Sequence, residues 1–196
     1  MIELTHIGEA LIAEMLNSSV KVRELFCIEK GDMVAVPEIP LVKCGQYGFD
    51  VSHKINVGLL IHDSRKCLPI EAKLGADRLD RESFDKRFLR PCVSAREEKR
   101  ITGSMTAILD RKIPVSADEK IQVVYKENSY ALTQEWVLVV REKVLASWVS
   151  NGRPSLSPNC RIIAMENIVS VYGDAAAFNA LVSKVISGDY HRQWFS

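Results

Sequence analysis

Between Ile55 and Leu74 apolar residues recur at every second position in two runs. The first is Ile55, Val57, Leu59 and Ile61; the second is Leu68, Ile70, Ala72 and Leu74. A period of two places each set on one face of a strand. A turn centred on Asp63-Ser64 folds the two runs into a β-hairpin with both sets on the same face. The opposite face then carries Asn56 and Gly58 on the first arm, and Glu71 and Lys73 on the second.

The rest of the chain reads as a mixture of helices and strands. Thr5 is placed as an N-cap for a helix with Ile7, Leu11, Met15 and Leu16 on one face. Asn17-Ser18-Ser19 ends that helix, and a second one carrying Val22, Leu25 and Phe26 stops before Gly31. Met33–Val36 predicts a short strand, and Pro37 and Pro40 confine the segment after it to an edge or a loop. Beyond the hairpin, residues 76–91 predict a helix with Leu79, Phe84, Phe88 and Leu89 inside and interleaved acids and bases outside. Ser94-Ala95-Arg96-Glu97 has the form of a capping box. Ile121–Tyr125 and Trp136–Val140 predict strands, the second apolar on both faces and therefore central. Val144–Val149 reads as a strand or a short helix. Ile162–Met165 and Ile168–Val171 read as one strand, or as two interrupted by a turn. Gly173-Asp174 precedes a helix with Phe178, Leu181, Val182, Val185 and Ile186 apolar.

Composition narrows the class. A chain of 196 residues with 47% hydrophobic content can bury one substantial core, which predicts a single domain over residues 1–196. The net charge of +1 gives no support to a dominant basic face. No apolar run reaches the length of a membrane span, and the N-terminal stretch lacks a signal-peptide arrangement. The five cysteines are scattered and never in C-x-x-C spacing, which argues against a zinc site or a disulfide framework and fits a reducing, cytoplasmic compartment. The chain has no G-x-x-x-x-G-K-[ST], G-x-G-x-x-G or G-x-S-x-G, so nucleotide-dependent and α/β-hydrolase chemistry lose their simplest support.

Pro69-Ile70-Glu71-Ala72-Lys73-Leu74-Gly75 resembles the closing half of the PD-(D/E)XK signature of restriction-endonuclease-like nucleases. The order of elements around it agrees: a helical N-terminal segment, a hairpin, E-x-K closing its second arm, then a charged helix. The resemblance covers about residues 1–145, leaving 146–196 as a strand–helix extension. It implies an α/β fold with a restriction-endonuclease-like core, a central mixed β-sheet flanked by helices. It also implies Mg²⁺ or Mn²⁺ as cofactor, Glu71 as a catalytic metal ligand and Lys73 at the attacking water. Phosphodiester hydrolysis needs a cation to neutralise phosphate oxygens and lower the pKa of water. Carboxylates are the hard oxygen ligands such a cation accepts. A nearby ammonium stabilises charge that develops in the transition state.

One position departs from the family pattern. The acid expected opposite Glu71 is replaced by Asn56, whose oxygen can ligate a cation but carries no charge. The nearest upstream acid, Asp50, lies about 20 Å from Asn56 along a straight strand, so it shares a metal with Glu71 only if the chain bends near Ser52-His53-Lys54. Asp50, Asn56 and Glu71 are therefore the candidate metal ligands. Asp63 belongs to the turn and points away. In the family the N-terminal helix can supply a further acid; Glu9, Glu14 and Glu24 qualify in that sense and otherwise read as solvated helix residues. Lys99, Arg100 and Ser104 are candidates for contact with a phosphate backbone. None of the four histidines takes a clear role: His62 falls at the turn and His53 at a strand start.

Three readings follow. The first is a Mg²⁺-dependent nuclease acting on DNA, working as a homodimer or with a partner because one site cuts one strand. The second keeps the fold without the chemistry, as a nucleic-acid- or protein-binding module. The third is an α/β interaction module in which E-x-K is accidental. None involves a membrane.

Overall fold

The computed structural model describes residues 4–28, 31–43, 54–74, 122–150 and 159–187. Asp50, His53, the charged helix expected over 76–91, the capping box at 94–97, and Lys99, Arg100 and Ser104 lie outside the described residues, as does the aromatic tail at 190–195.

The N-terminal segment forms α1 (Leu4–Ser18) and α2 (Val20–Leu25). The helix is already under way at Thr5, one residue ahead of the predicted cap. Ser19 separates the two helices in an extended conformation, its side chain accepting the Val22 N–H as the N-cap of α2. Helix α1 is buried well beyond one stripe: Ala10, Leu11, Ile12, Ala13, Met15 and Leu16 are all inside. Such a helix is enclosed on several sides rather than laid on a surface.

The strands are β1 (Met33–Lys43), β2 (Lys54–Ile61), β3 (Lys66–Ala72), β4 (Gln122–Tyr125), β5 (Asn128–Leu132), β6 (Trp136–Val140) and β7 (Cys160–Ala164). They form one mixed sheet in the order β2-β1-β4-β5-β3-β6-β7. Strand β2 also pairs with β3, so the sheet curls until five strands close a ring and β6 and β7 continue outward from it. The hairpin of β2 and β3 is antiparallel, with Ile61 opposite Lys66 around the turn at 62–65, which is centred on Asp63-Ser64. Strand β6 joins β3 in parallel, and β7 joins β6 in parallel. All five residues of β6 are buried, as its uninterrupted apolar run predicts for a central strand.

Helices α3 (Glu142–Ser150), α4 (Met165–Tyr172) and α5 (Ala175–Ile186) complete the described elements. Val144–Val149 is thus helical. Ile168–Val171 is also helical, not a strand: β7 passes directly into α4, which turns the amphipathic residues Ile168 and Val169 onto the core. Asp174 caps α5 by accepting the Ala177 N–H at 2.9 Å. Ile163, Ile168, Leu181 and Val185 enter the same cluster as α1, β2, β3 and β6, so the C-terminal segment belongs to the main core.

Strand β1 runs through both prolines and pairs on its second side only beyond them, so the segment after Val36 is edge-like strand and not a loop. The reason lies in which side is open. Its pairing with β4 begins only at Leu41, so among the described residues, positions 33–40 have a strand neighbour on the β2 side alone. The Asn17 side chain covers part of the other side, accepting the Ala35 N–H at 2.8 Å and donating to the Ala35 carbonyl at 2.9 Å. Pro37, two residues on, has its nitrogen directed to that same side, where no ladder bond is lost.

A second core fills the ring and contains Val36, Ile39, Ile55, Leu60, Cys67, Val123 and Tyr130. Val36 and Ile39 are three residues apart, and Ile55 and Leu60 five apart; regular strands would put the members of each pair on opposite faces. Yet the pairing of β1 with β2 keeps one register throughout, from Val36 opposite Gly58 to Ile39 opposite Ile55. Both strands turn over together between those pairs, at Glu38 and Asn56. Ile55 therefore leaves the face that it was predicted to share with Val57 and Leu59. Glu38 has φ 50°, in the left-handed region.

Candidate metal centre

The turnover at Glu38 and Asn56 has its chemical consequence at the end of the hairpin. The ladder of β2 with β3 runs to Val57 opposite Ile70 and would next pair Asn56 with Glu71. There the strands separate. The Ala72 N–H donates to Asn56 Oδ1 at 2.9 Å, a side-chain oxygen taking the role of a strand carbonyl. Strand β3 meanwhile stays bound to β6, and the Lys73 N–H donates to the Val139 carbonyl at 2.9 Å. Glu71 and Lys73 are thus held by a rigid parallel partner at a place where β2 has moved aside.

Into that place comes Glu9 from α1. Asn56 Nδ2 donates to Glu9 Oε1 at 2.6 Å, so one side chain links α1, β2 and β3. His6, one turn earlier on the helix, has Nδ1 3.6 Å from Glu9 Oε2 and 3.1 Å from Glu38 Oε1. Lys54 Nζ lies 3.6 Å from the same Glu38 oxygen. On β3, Lys73 Nζ contacts Glu71 Oε2 at 3.1 Å, while Glu71 Oε1 is buried without a hydrogen-bond partner.

The electrostatics follow from crowding carboxylates in a dry place. Glu9 is only 4% exposed, and its carboxyl is pushed up to about 7, chiefly by burial. The charges of Glu38 and Glu71 contribute to that rise, whereas His6 opposes it. Glu71 is 2% exposed and is also raised by burial; the Lys73 ammonium, its hydrogen bond and the backbone of Asn56 pull the other way. Acids from β1 and β3 therefore both act on Glu9 of α1. His6, Glu9 and Glu38 place one nitrogen and two oxygens within 4.8 Å of one another, a spacing that fits a metal ion.

The sequence-predicted residues divide clearly. Glu71 and Lys73 stand together at the centre. Asn56 is there too, but its oxygen serves the Ala72 amide and its nitrogen serves Glu9, so it orients neighbours instead of presenting a free oxygen. Asp50, Lys99, Arg100 and Ser104 fall outside the described residues. Glu9 and Glu14 are buried, against the expectation of solvated helix positions; Glu14 pairs with Lys184 at 3.0 Å, and Glu24 is exposed. Asp63 sits in the turn at the far end of the hairpin. His6 and Glu38 were not singled out by sequence reasoning. The first had a legible signal in its i, i+3 spacing from Glu9; the second had only its place between Pro37 and Pro40.

A groove of about 740 Å³ opens near that far end, lined in part by Met33, Ile61, Asp63, Lys66, Leu68 and Arg161. It holds none of the clustered carboxylates, which lie at the other end of the hairpin. In comparisons with known proteins, no family model, no curated protein and no solved structure matches this chain.

Proposed function

We propose that this protein is a metal-dependent nuclease that hydrolyses DNA phosphodiester bonds at the Glu71–Lys73 end of β3. One observation carries the reading: Glu9 and Glu38 come to the position that Asn56 leaves without an acid. The carboxylates missing from β2 are supplied by the helix and by the adjacent strand. The order α1-β1-β2-β3, with β3 between antiparallel β2 and parallel β6, also agrees with a restriction-endonuclease-like core.

The donor set fits a divalent cation. The atoms within reach of one ion belong to His6, Glu9 and Glu38, the repulsion that Glu38 and Glu71 exert on Glu9 is what a cation relieves, and Glu71 Oε1 is without a partner. When bound, Mg²⁺ or Mn²⁺ would neutralise phosphate oxygens and lower the pKa of a water. Asn56 holds Glu9 in place, and β6 fixes Glu71 through the main chain of β3. Lys73, with its side chain 36% exposed, can exchange Glu71 for a water or phosphate oxygen and stabilise negative charge there.

A second reading, a binding module on the same fold, is favoured by the Lys73–Glu71 ion pair, which occupies both groups of the motif. The test is cleavage of supercoiled plasmid and of branched or single-stranded DNA with Mg²⁺ or Mn²⁺, beside Glu71→Ala and Lys73→Ala. Metal-dependent cutting lost in both variants establishes the nuclease. DNA binding without cutting on any substrate establishes the binding module.

A further inference from the structure

We propose that His6, Glu9 and Glu38 form a centre that selects a divalent first-row transition-metal ion of the Mn²⁺-to-Zn²⁺ class over Mg²⁺. The inference deepens the nuclease reading and rests on it for what the ion does. The binding of the ion is tested without any substrate.

The geometry is already close to that of bound ligands. An ion with bonds of about 2.1 Å sets neighbouring ligand atoms about 3.0 Å apart in an octahedron and about 3.4 Å apart in a tetrahedron. His6 Nδ1 lies 3.1 Å from Glu38 Oε1 and 3.6 Å from Glu9 Oε2. The imidazole nitrogen stands between two carboxylates, and an ion there would take the place of a proton on that nitrogen. The side chain of His6 is 38% exposed, but its Nδ1 is buried, as is the Glu9 side chain behind it at 6%.

A second observation, separate from the cluster, points to a ligand. Glu71 Oε1 is buried and unpartnered, and the Glu71 charge reaches Glu9. Buried carboxylate oxygens almost always find a donor or a cation. Among the described residues the cations at the centre are Lys54, 3.6 Å from Glu38 Oε1, and Lys73, 3.1 Å from Glu71 Oε2, and neither serves Glu71 Oε1.

The choice of ion follows from His6. Mg²⁺ takes oxygen ligands and keeps its waters, whereas imidazole nitrogen suits Mn²⁺ weakly and the later ions from Fe²⁺ to Zn²⁺ better, with the maximum at Cu²⁺. Glu38, whose Oε1 lies 3.1 Å from the imidazole nitrogen, has φ 50°, a left-handed backbone that non-glycine residues adopt uncommonly.

The experiment is metal binding to the full chain, followed by calorimetry with Mn²⁺, Zn²⁺ and Mg²⁺ and by the electron paramagnetic resonance of free Mn²⁺. His6→Ala and His6→Gln are compared with the native chain, each checked for fold by circular dichroism. The expected result is one ion per chain, with Mn²⁺ and Zn²⁺ bound at least about tenfold more tightly than Mg²⁺. His6→Ala should erase that preference, and His6→Gln, which offers oxygen, should move it toward Mg²⁺. If the His6 variants keep the native preference, or if the native chain binds no ion stoichiometrically, the inference is overturned. Selective binding without DNA cleavage would sink the nuclease and leave the centre standing. Cleavage supported by Mg²⁺ alone and indifferent to His6→Ala would do the reverse.

Discussion

Asn56 donates to Glu9 at 2.6 Å, and the same side chain accepts the Ala72 amide at 2.9 Å. The residue that stands where an acid was expected is thus the joint between the helix carrying Glu9 and the strand carrying Glu71. Its amide nitrogen also stabilises a carboxylate that burial disfavours.

Restoring the acid should therefore harm the metal-free protein. Asn56→Asp removes the donor to Glu9 and sets two carboxylates against each other. We expect a loss of about 2–4 kcal/mol at pH 8, largely recovered on adding a divalent cation. Urea melts with and without Mn²⁺ check this; a neutral substitution would show that Asn56 and Glu9 are not coupled.

The Glu9 carboxyl makes stability depend on pH with a definite sign. Its folded value, about 7, lies above the ordinary 4.5, so the folded chain holds a proton that the unfolded chain releases. The stabilising contribution is complete below about 4.5 and is lost as the pH rises through 7. At about 1.4 kcal/mol per unit, the loss is of the order of ~3 kcal/mol. Glu9→Gln should flatten the fall between pH 5 and pH 8 and melt higher than the native chain at pH 8. An unchanged slope in that variant would place the titration elsewhere; Glu71, raised in the same direction, is the next candidate.

The tie between α1 and β1 is testable away from the site. Asn17→Ala strips both partners from the Ala35 main chain, in a residue that is fully buried. Leaving two such groups unpaired should cost about 2–4 kcal/mol. Hydrogen exchange at Ala35 should accelerate in step with the loss measured by denaturant.

Gly58 sits where the ring core closes on itself. A Cβ there would lie 2.7 Å from Ile39 Cγ2 and 3.1 Å from Cys67 Sγ. Ile39 is branched and fully enclosed, so it cannot swing away freely. Gly58→Ala should cost about 1–3 kcal/mol through overpacking. Combining it with Ile39→Val should recover part of that loss in the melting temperature.

Local pattern alone located the hairpin, its turn, the central strand β6, and the helix that follows Asp174, because period, turn chemistry and capping act over a few residues. It also located Glu71 and Lys73, which are two residues apart on one strand. Strand β5 and the helical state of Met165–Tyr172 escaped it, since Asn128–Leu132 has no clear alternation and Ile168–Val171 is a short apolar run that either state accepts. The cluster of His6, Glu9 and Glu38 escaped it for a different reason. These residues belong to α1 and β1, and no spacing along the chain encodes their meeting with one another and with Glu71 on β3. The tertiary structure decides it: β1 and β2 turn over together at Glu38 and Asn56, α1 is enclosed against the sheet, and the acids absent from β2 arrive from either side.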